Sequence, residues 1–258
     1  MKKYMLDMKV TESKDLHTNY RLLKITSDKT LPEALPGQFV QVLVDHSPTT
    51  FLRRPISINY IDKKSNELWL LIQKVGDGTR AMATYKSGDY MNLLLPLGNG
   101  FTVPNRNEES LLLIGGGAGT APLLFLGACL KEKGFKPAFL VGARSEKDLM
   151  QLDDFQQFGT VYATTEDGSY GEKGYVTNHS VWAGVQFNRI YTCGPKPMMQ
   201  AVARYASANK IACEVSLENT MACGMGACLC CVEKTIDGHV CVCTEGPVFN
   251  IDKLTWQI

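Results

Sequence analysis

The chain of 258 residues predicts three modules in order: an antiparallel β-barrel, a Rossmann-like parallel α/β domain and a small C-terminal cysteine hairpin. Three observations carry this. Through the first hundred residues, short apolar, β-branched and aromatic runs alternate with turn signals, the pattern of a closed or nearly closed antiparallel barrel. From residue 110, strand-like runs alternate with helical ones, the order of a parallel sheet with right-handed crossovers. Near the C-terminus, six of the nine cysteines fall between Cys223 and Cys243. The expected divisions are 1–103, 104–212 and 213–258.

Composition narrows the function classes. A 45% hydrophobic content suffices for two ordinary domains and an appendage. A net charge of +1 lacks the basic excess of nucleic-acid or membrane-surface binders. Residues 1–20 are polar, with no signal-peptide core. The apolar region 111–130 is interrupted by five glycines, too broken for a membrane span. An odd number of cysteines without an export signal points to a reducing cytoplasm and to metal ligation.

In the barrel, strands are expected over 20–26, 38–44, 56–61, 67–74 and 90–95, with turns at 35–37, 62–66 and 87–89 and a single helix over 79–86. Two features go beyond fold. Arg54-Pro55-Ile56-Ser57 sets a guanidinium and a hydroxyl on one strand, a pairing suited to a diphosphate or a flavin edge. Gly76-Asp77-Gly78-Thr79 is a glycine turn leading into the helix, where backbone N–H groups can face an anion.

In the second module the order is strand 110–114, glycine turn 115–122, helix 123–133, strand 137–141, helix 146–158, strands 160–165 and 189–192, and helix 197–209. Gly115, Gly116, Gly117 and Gly119, with Thr120 and Pro122, let backbone amides approach a pyrophosphate at a helix start. Cys193-Gly194-Pro195 follows a later strand and precedes another helix. Arg144 ends the second strand, where it could meet a ribose phosphate.

Cys223, Cys228 and Cys231 stand in C-x4-C-x2-C spacing, the plant-type run for a [2Fe–2S] cluster. Gly224 and Gly226 let such a loop curl tightly. Asp237-Gly238 predicts a two-residue hairpin turn pairing Ile236 with His239 and Val232 with Cys243. That register sets Cys243 beside Cys231 as the fourth ligand and Cys241 roughly 10 Å away at strand rise. Cys230 and Cys241 are then bystanders. Zinc and disulfides are the competing uses of such cysteines. The Cys241/Cys243 pair has poor zinc spacing, and disulfides need an oxidising compartment.

Arg54-Pro55-Ile56-Ser57 followed by Gly78-Thr79 resembles the FAD domain of the ferredoxin reductase family, with Ile56 where that family usually carries Tyr or Phe. The resemblance implies that Leu71, Ile72 and Gln73 border the flavin. The glycine turn followed by Cys-Gly-Pro resembles the same family's pyridine-nucleotide domain and implies that Cys193 lies near the nicotinamide. The whole chain, with Met221 to Cys231 and Cys243 to Phe249, resembles the electron-transfer subunits of type B dihydroorotate dehydrogenases. This implies FAD, a [2Fe–2S] cluster on Cys223, Cys228, Cys231 and Cys243, and NAD as substrate. It also implies an FMN-containing catalytic partner in a heterotetramer of two copies each, within pyrimidine biosynthesis. The flavin subunit of a ferredoxin:NADP oxidoreductase or sulfide dehydrogenase is the near alternative, though those relatives tend to carry Asp where Cys223 stands. A zinc-stabilised binding module is the remote one. His17, His46, His179 and His239 are scattered and expected at the surface, and no acid/base pair for an organic substrate is visible. Met221, Met225 and Leu229 are expected at an apolar interface or shielding the cluster.

Overall fold

The computed structural model describes residues 2–45, 47–105 and 110–256. His46 lies outside them.

Six strands close the barrel: β1 (Tyr4–His17), β2 (Tyr20–Thr26), β3 (Phe39–Val42), β4 (Arg54–Asp62), β5 (Glu67–Gln73) and β6 (Tyr90–Leu97), in the order β1-β2-β5-β4-β3-β6. Inward-facing side chains such as Met8, Leu23, Ile25, Ile58, Leu70 and Ile72 are wholly buried. Each contributes about 1.5–3 kcal/mol relative to exposure. The long β1 was not among the expected strands. Its charged residues hide the alternation, and two bulges, between Val10 and Glu12 and between Asp15 and His17, shift its register. The barrel helix α1 (Asp77–Met82) starts earlier than expected, because Thr79 Oγ1 accepts from the Val75 and Gly76 amides at 3.0 Å.

The second sheet has seven strands: β7 (Leu111–Gly116), β8 (Ala138–Ala143), β9 (Thr160–Thr165), β10 (Glu172–Lys173), β11 (Arg189–Cys193), β12 (Ala212–Ser216) and β15 (Val248–Asn250). Their order is β10-β9-β8-β7-β11-β12-β15, all parallel except β15. Helices α2 (Ala121–Glu132), α4 (Val181–Gly184) and α5 (Lys196–Ala208) connect them. The helix expected over 146–158 is broken into a 3-10 turn (Glu146–Asp148) and a short α3 (Leu152–Gln156). Tertiary contacts interrupt the helix there. Met150 inserts into a small cluster with Tyr20, Leu71 and Ala121, and Gln151 adopts φ 57° while exchanging amide bonds of 3.2 Å with Asn59 of the barrel.

The expected division at 212/213 falls inside β12, and β15 returns from the C-terminal module to pair with it, so that module is woven into the nucleotide sheet. It also clasps the barrel. The Asn99 amide donates to Gly246 O at 2.6 Å, and its side chain donates to Thr244 O and Glu245 O at 2.9 and 3.0 Å.

In the hairpin, β13 (Val232–Thr235) and β14 (Gly238–Cys241) pair Thr235 with Gly238 and Val232 with Cys241. The turn is therefore Ile236-Asp237, one residue earlier than expected, and the predicted pairing of Val232 with Cys243 is wrong. Cys241, not Cys243, occupies the ladder position next to Cys231. The chain then folds into α6 (Val242–Glu245), which carries Cys243. No helix among the described residues is long and apolar enough to cross a membrane.

Candidate functional site

One cleft of about 210 Å³ opens where the three modules meet. The barrel contributes Phe39, Pro55, Ile56, Ser57, Leu71, Gln73 and Thr79. The nucleotide domain contributes Ala118, Ala121 and Ser216, and the C-terminal segment Leu217, Glu218, Asn219, Met221 and Pro247. The wall is mostly apolar with a few polar groups, the usual make-up of a cofactor site.

Strand alternation decides which sequence-predicted residues line it. Leu71 and Gln73 face the cleft, whereas Ile72 points the other way into the barrel core. Pro55, Ile56 and Ser57 line it together. Arg54 sits at the edge against Gly78: a Cβ there would stand 3.0 Å from Arg54 Nε. The two barrel motifs thus meet in space although 24 positions separate Arg54 from Gly78. These residues fit a flavin, with apolar strand surface for a ring, a hydroxyl at its edge, and a guanidinium beside a glycine turn for a diphosphate.

The glycine turn after β7 and the Cys193-Gly194-Pro195 turn after β11 are brought together because Cys193 pairs with Gly115 across adjacent parallel strands. Their contact demands glycine. A Cβ at Gly119 would meet Gly194 Cα at 2.4 Å, and one at Gly116 would meet Met198 Sδ at 2.8 Å. Thr120 Oγ1 donates to Gly117 O at 2.9 Å and closes the turn, and Pro122 lies in the first turn of α2. Cys193 is 1% exposed, and burial pushes its thiol well up, so it is neutral. Ser216 and Glu218 lie close to it. The Glu218 side chain is exposed at the cleft, yet the protein packed around its carboxyl desolvates it enough to raise it above its ordinary value.

At the cysteine loop, backbone amides converge on sulfur. Met225 N donates to Cys223 Sγ at 3.3 Å, Gly226 N to Cys243 Sγ at 3.1 Å, and Cys243 N to Cys231 Sγ at 3.4 Å. Gly224 and Gly226 have φ of 70° and 82°, which turns these amides inward. The amides of Met225, Cys228 and Ala227 hold the Cys223 thiol down at about 6, whereas burial and the Cys231 sulfur push Cys243 up to about 12. Burial and the sulfurs of Cys231, Cys228 and Cys223 also raise Cys241. Among the described residues, no three His, Cys, Asp or Glu side chains close around a single metal-ion position. The fit to an iron–sulfur cluster rests on the amides aimed at several neighbouring sulfurs, the surroundings that cluster sulfurs accept.

Several site residues carried no sequence signal, among them Phe39, Ser216, Leu217 and Glu218. Of the three apolar residues around the cysteines, Met221 takes the shielding place, packed in one core with Cys231 and Cys243. It is 8% exposed and lines the cleft, whereas Met225 and Leu229 are 49% and 65% exposed. His179 is buried rather than at the surface; its Nδ1 accepts from Val181 N at 2.9 Å, and desolvation lowers its pKa.

Residues 218–255 match the iron–sulfur cluster binding domain of dihydroorotate dehydrogenase B, and residues 113–204 match an oxidoreductase NAD-binding domain. The chain is 38% identical over 247 residues to the dihydroorotate dehydrogenase B (NAD(+)) electron transfer subunit of Lysinibacillus sphaericus, covering 94% of this chain and 95% of that one. The subunit of the same name from Shouchella clausii is 39% identical over 225 residues, covering 85% and 86%. Among solved structures, an NADH-dependent reduced ferredoxin-NADP oxidoreductase studied for flavin-based electron bifurcation superposes with a TM-score of 0.86 at 26% identity, covering 96% and 90%. The ferredoxin reductase of carbazole 1,9a-dioxygenase shares the fold, with a TM-score of 0.70 at 22% identity, covering 82% and 67%.

Proposed function

This chain belongs to the family of dihydroorotate dehydrogenase B electron transfer subunits, and on that premise we propose that it carries electrons from a dihydroorotate-oxidising partner to NAD+ in pyrimidine biosynthesis. The single observation that carries the reading is the cleft whose walls come from all three modules. NAD+ accepts a hydride, a [2Fe–2S] cluster passes one electron at a time, and a bound flavin supplies the exchange between the two.

The chain's residues then have the following roles. Arg54 and the Gly78-Thr79 turn hold the FAD diphosphate, and Pro55, Ile56, Ser57, Leu71 and Gln73 hold its ring. Gly115, Gly116, Gly117, Gly119, Thr120, Pro122, Gly194 and Pro195 shape the NAD site. The neutral Cys193, paired with Gly115 at the end of β11, would lie near the nicotinamide. Cys223, Cys228, Cys231 and Cys243 are the cluster ligands. Both Cys241 and Cys243 neighbour Cys231, and Cys243 is preferred because the Gly226 amide of the ligand loop already donates to its sulfur. The buried Met221 ties cleft to loop, two positions before Cys223.

The partner supplies FMN and the acid/base chemistry on dihydroorotate, in a cytoplasmic heterotetramer of two copies each. The purified chain should show flavin and iron–sulfur absorption bands. With an FMN-containing dihydroorotate dehydrogenase subunit, it should restore NAD+-linked orotate formation. A mixture that retains every cofactor yet forms no NADH would overturn the reading.

A further inference from the structure

Gln41 lies on β3, two residues after Phe39, so both side chains leave the barrel on the same side. Phe39 packs into the core that contains Cys231 and Cys243. Gln41 is 0% exposed, and neither its Oε1 nor its Nε2 has a hydrogen-bond partner. Its backbone is well provided for, since Gln41 O accepts from Arg53 Nη1 at 3.1 Å. A buried amide without partners is costly to fold around, and an apolar side chain of the same length would carry no such cost. The amide lies under the cysteine loop: a Cβ at Gly224 would stand 2.8 Å from Gln41 Cγ and 2.9 Å from Nε2. Gly224 is the residue after Cys223, and its φ of 70° keeps the loop's backbone on the barrel surface.

From this we infer that Gln41 is a positioning residue for the iron–sulfur site: its side-chain N–H, without a partner beneath Gly224, turns to donate to the sulfur at Cys223 once a cluster is bound. The inference rests on the cluster assignment above and adds a contribution from the barrel to it. Cys223 Sγ already accepts the Met225 amide from its own loop. An amide from a different module would fix the loop's height above the barrel and thus its position relative to the cleft beside Phe39. A hydrogen bond to a cluster sulfur also stabilises the more negative, reduced state, and hydrogen bonds to the sulfurs are among the determinants of cluster potential.

The test uses the full cluster-loaded chain. With 15N in its glutamine side chains, the reduced cluster's pulsed paramagnetic resonance spectrum should show a 15N coupling that disappears in Gln41→Met. Gln41→Met should also shift the midpoint potential negative at unchanged iron content. If Gln41→Met fails to load iron, the labelled unsubstituted chain decides alone: a glutamine 15N coupling supports the role and its absence overturns it. A variant with full iron and an unmoved potential overturns it too. A purified chain with no iron–sulfur signal overturns the cluster assignment itself, and this role with it.

Discussion

Cys223 and Cys243 sit on two sides of one loop yet hold their protons very differently, near 6 and near 12 against an ordinary 9.0. In the cluster-free chain, iodoacetamide should label Cys223 at a rate that rises with pH and levels off just above 6, while Cys243 stays unreactive through neutral pH; peptide mapping reads this. The sign for stability follows. Because the folded pKa of Cys223 is depressed, its ionisation favours the folded loop above the ordinary thiol pKa, and that contribution is lost as pH falls through about 6. Ligand identity is tested separately. Cys243→Ser should abolish iron binding and the cluster spectrum, and Cys241→Ser should leave both intact; the reverse would make Cys241 the ligand, which its place beside Cys231 makes a real contest. At the flavin edge, a charge-assisted guanidinium contact is worth about 1.5–3 kcal/mol. Arg54→Ala should therefore weaken FAD retention by roughly one to two decades, read as flavin released on dialysis.

Among elements, the two glycine turns of the nucleotide domain depend on each other's backbone. Gly119→Ala would set a Cβ 2.4 Å from Gly194 Cα and N, atoms that cannot rotate away. Overpacking of this kind costs about 1–3 kcal/mol, and relief by displacing the turn should lower NAD+ affinity by roughly five- to a hundredfold, measured by calorimetry. Gly184→Ala meets nothing within 4 Å and should leave affinity unchanged. The strand bounds 20–26 and 160–165 were legible because both runs are short, β-rich and bounded by turns. The helix expected over 146–158 is interrupted because Met150 and Gln151 are recruited by the barrel. The hairpin was misplaced by one residue at its turn, enough to exchange which cysteine sits on the ladder.

Across the whole molecule, hydride exchange and dihydroorotate chemistry separate. The chain alone should oxidise NADH with artificial acceptors and show no turnover of dihydroorotate, because none of the residues lining its cleft forms an acid/base pair for a carbon-bound proton. Turnover by the isolated chain would sink the proposal. Exposed Met225 and Leu229 crown the cysteine loop and are expected to meet the partner. Met225→Asp with Leu229→Asp should weaken subunit association without changing the cluster spectrum. Leu229 has φ 56°, a conformation that Asp tolerates better than Leu, so loop folding should not suffer.

Residue type and local spacing by themselves determined the kinds of site: cysteines at C-x4-C-x2-C for a [2Fe–2S] cluster, glycines after an apolar strand for a pyrophosphate, and an Arg/Ser pair on a strand ahead of a glycine turn for a diphosphate or a flavin edge, the particular cofactors following from the family resemblance. Such signals are legible because each site is built mainly from one short stretch, whose backbone needs are written in its own residues. Tertiary structure alone decided how those stretches meet. It seated Gly78 against Arg54, turned Ile72 away from the cleft, returned β15 to the nucleotide sheet, and set Gln41 under Gly224. These are contacts between residues far apart in the chain, chosen by strand alternation and packing of whole faces, and no local pattern encodes them.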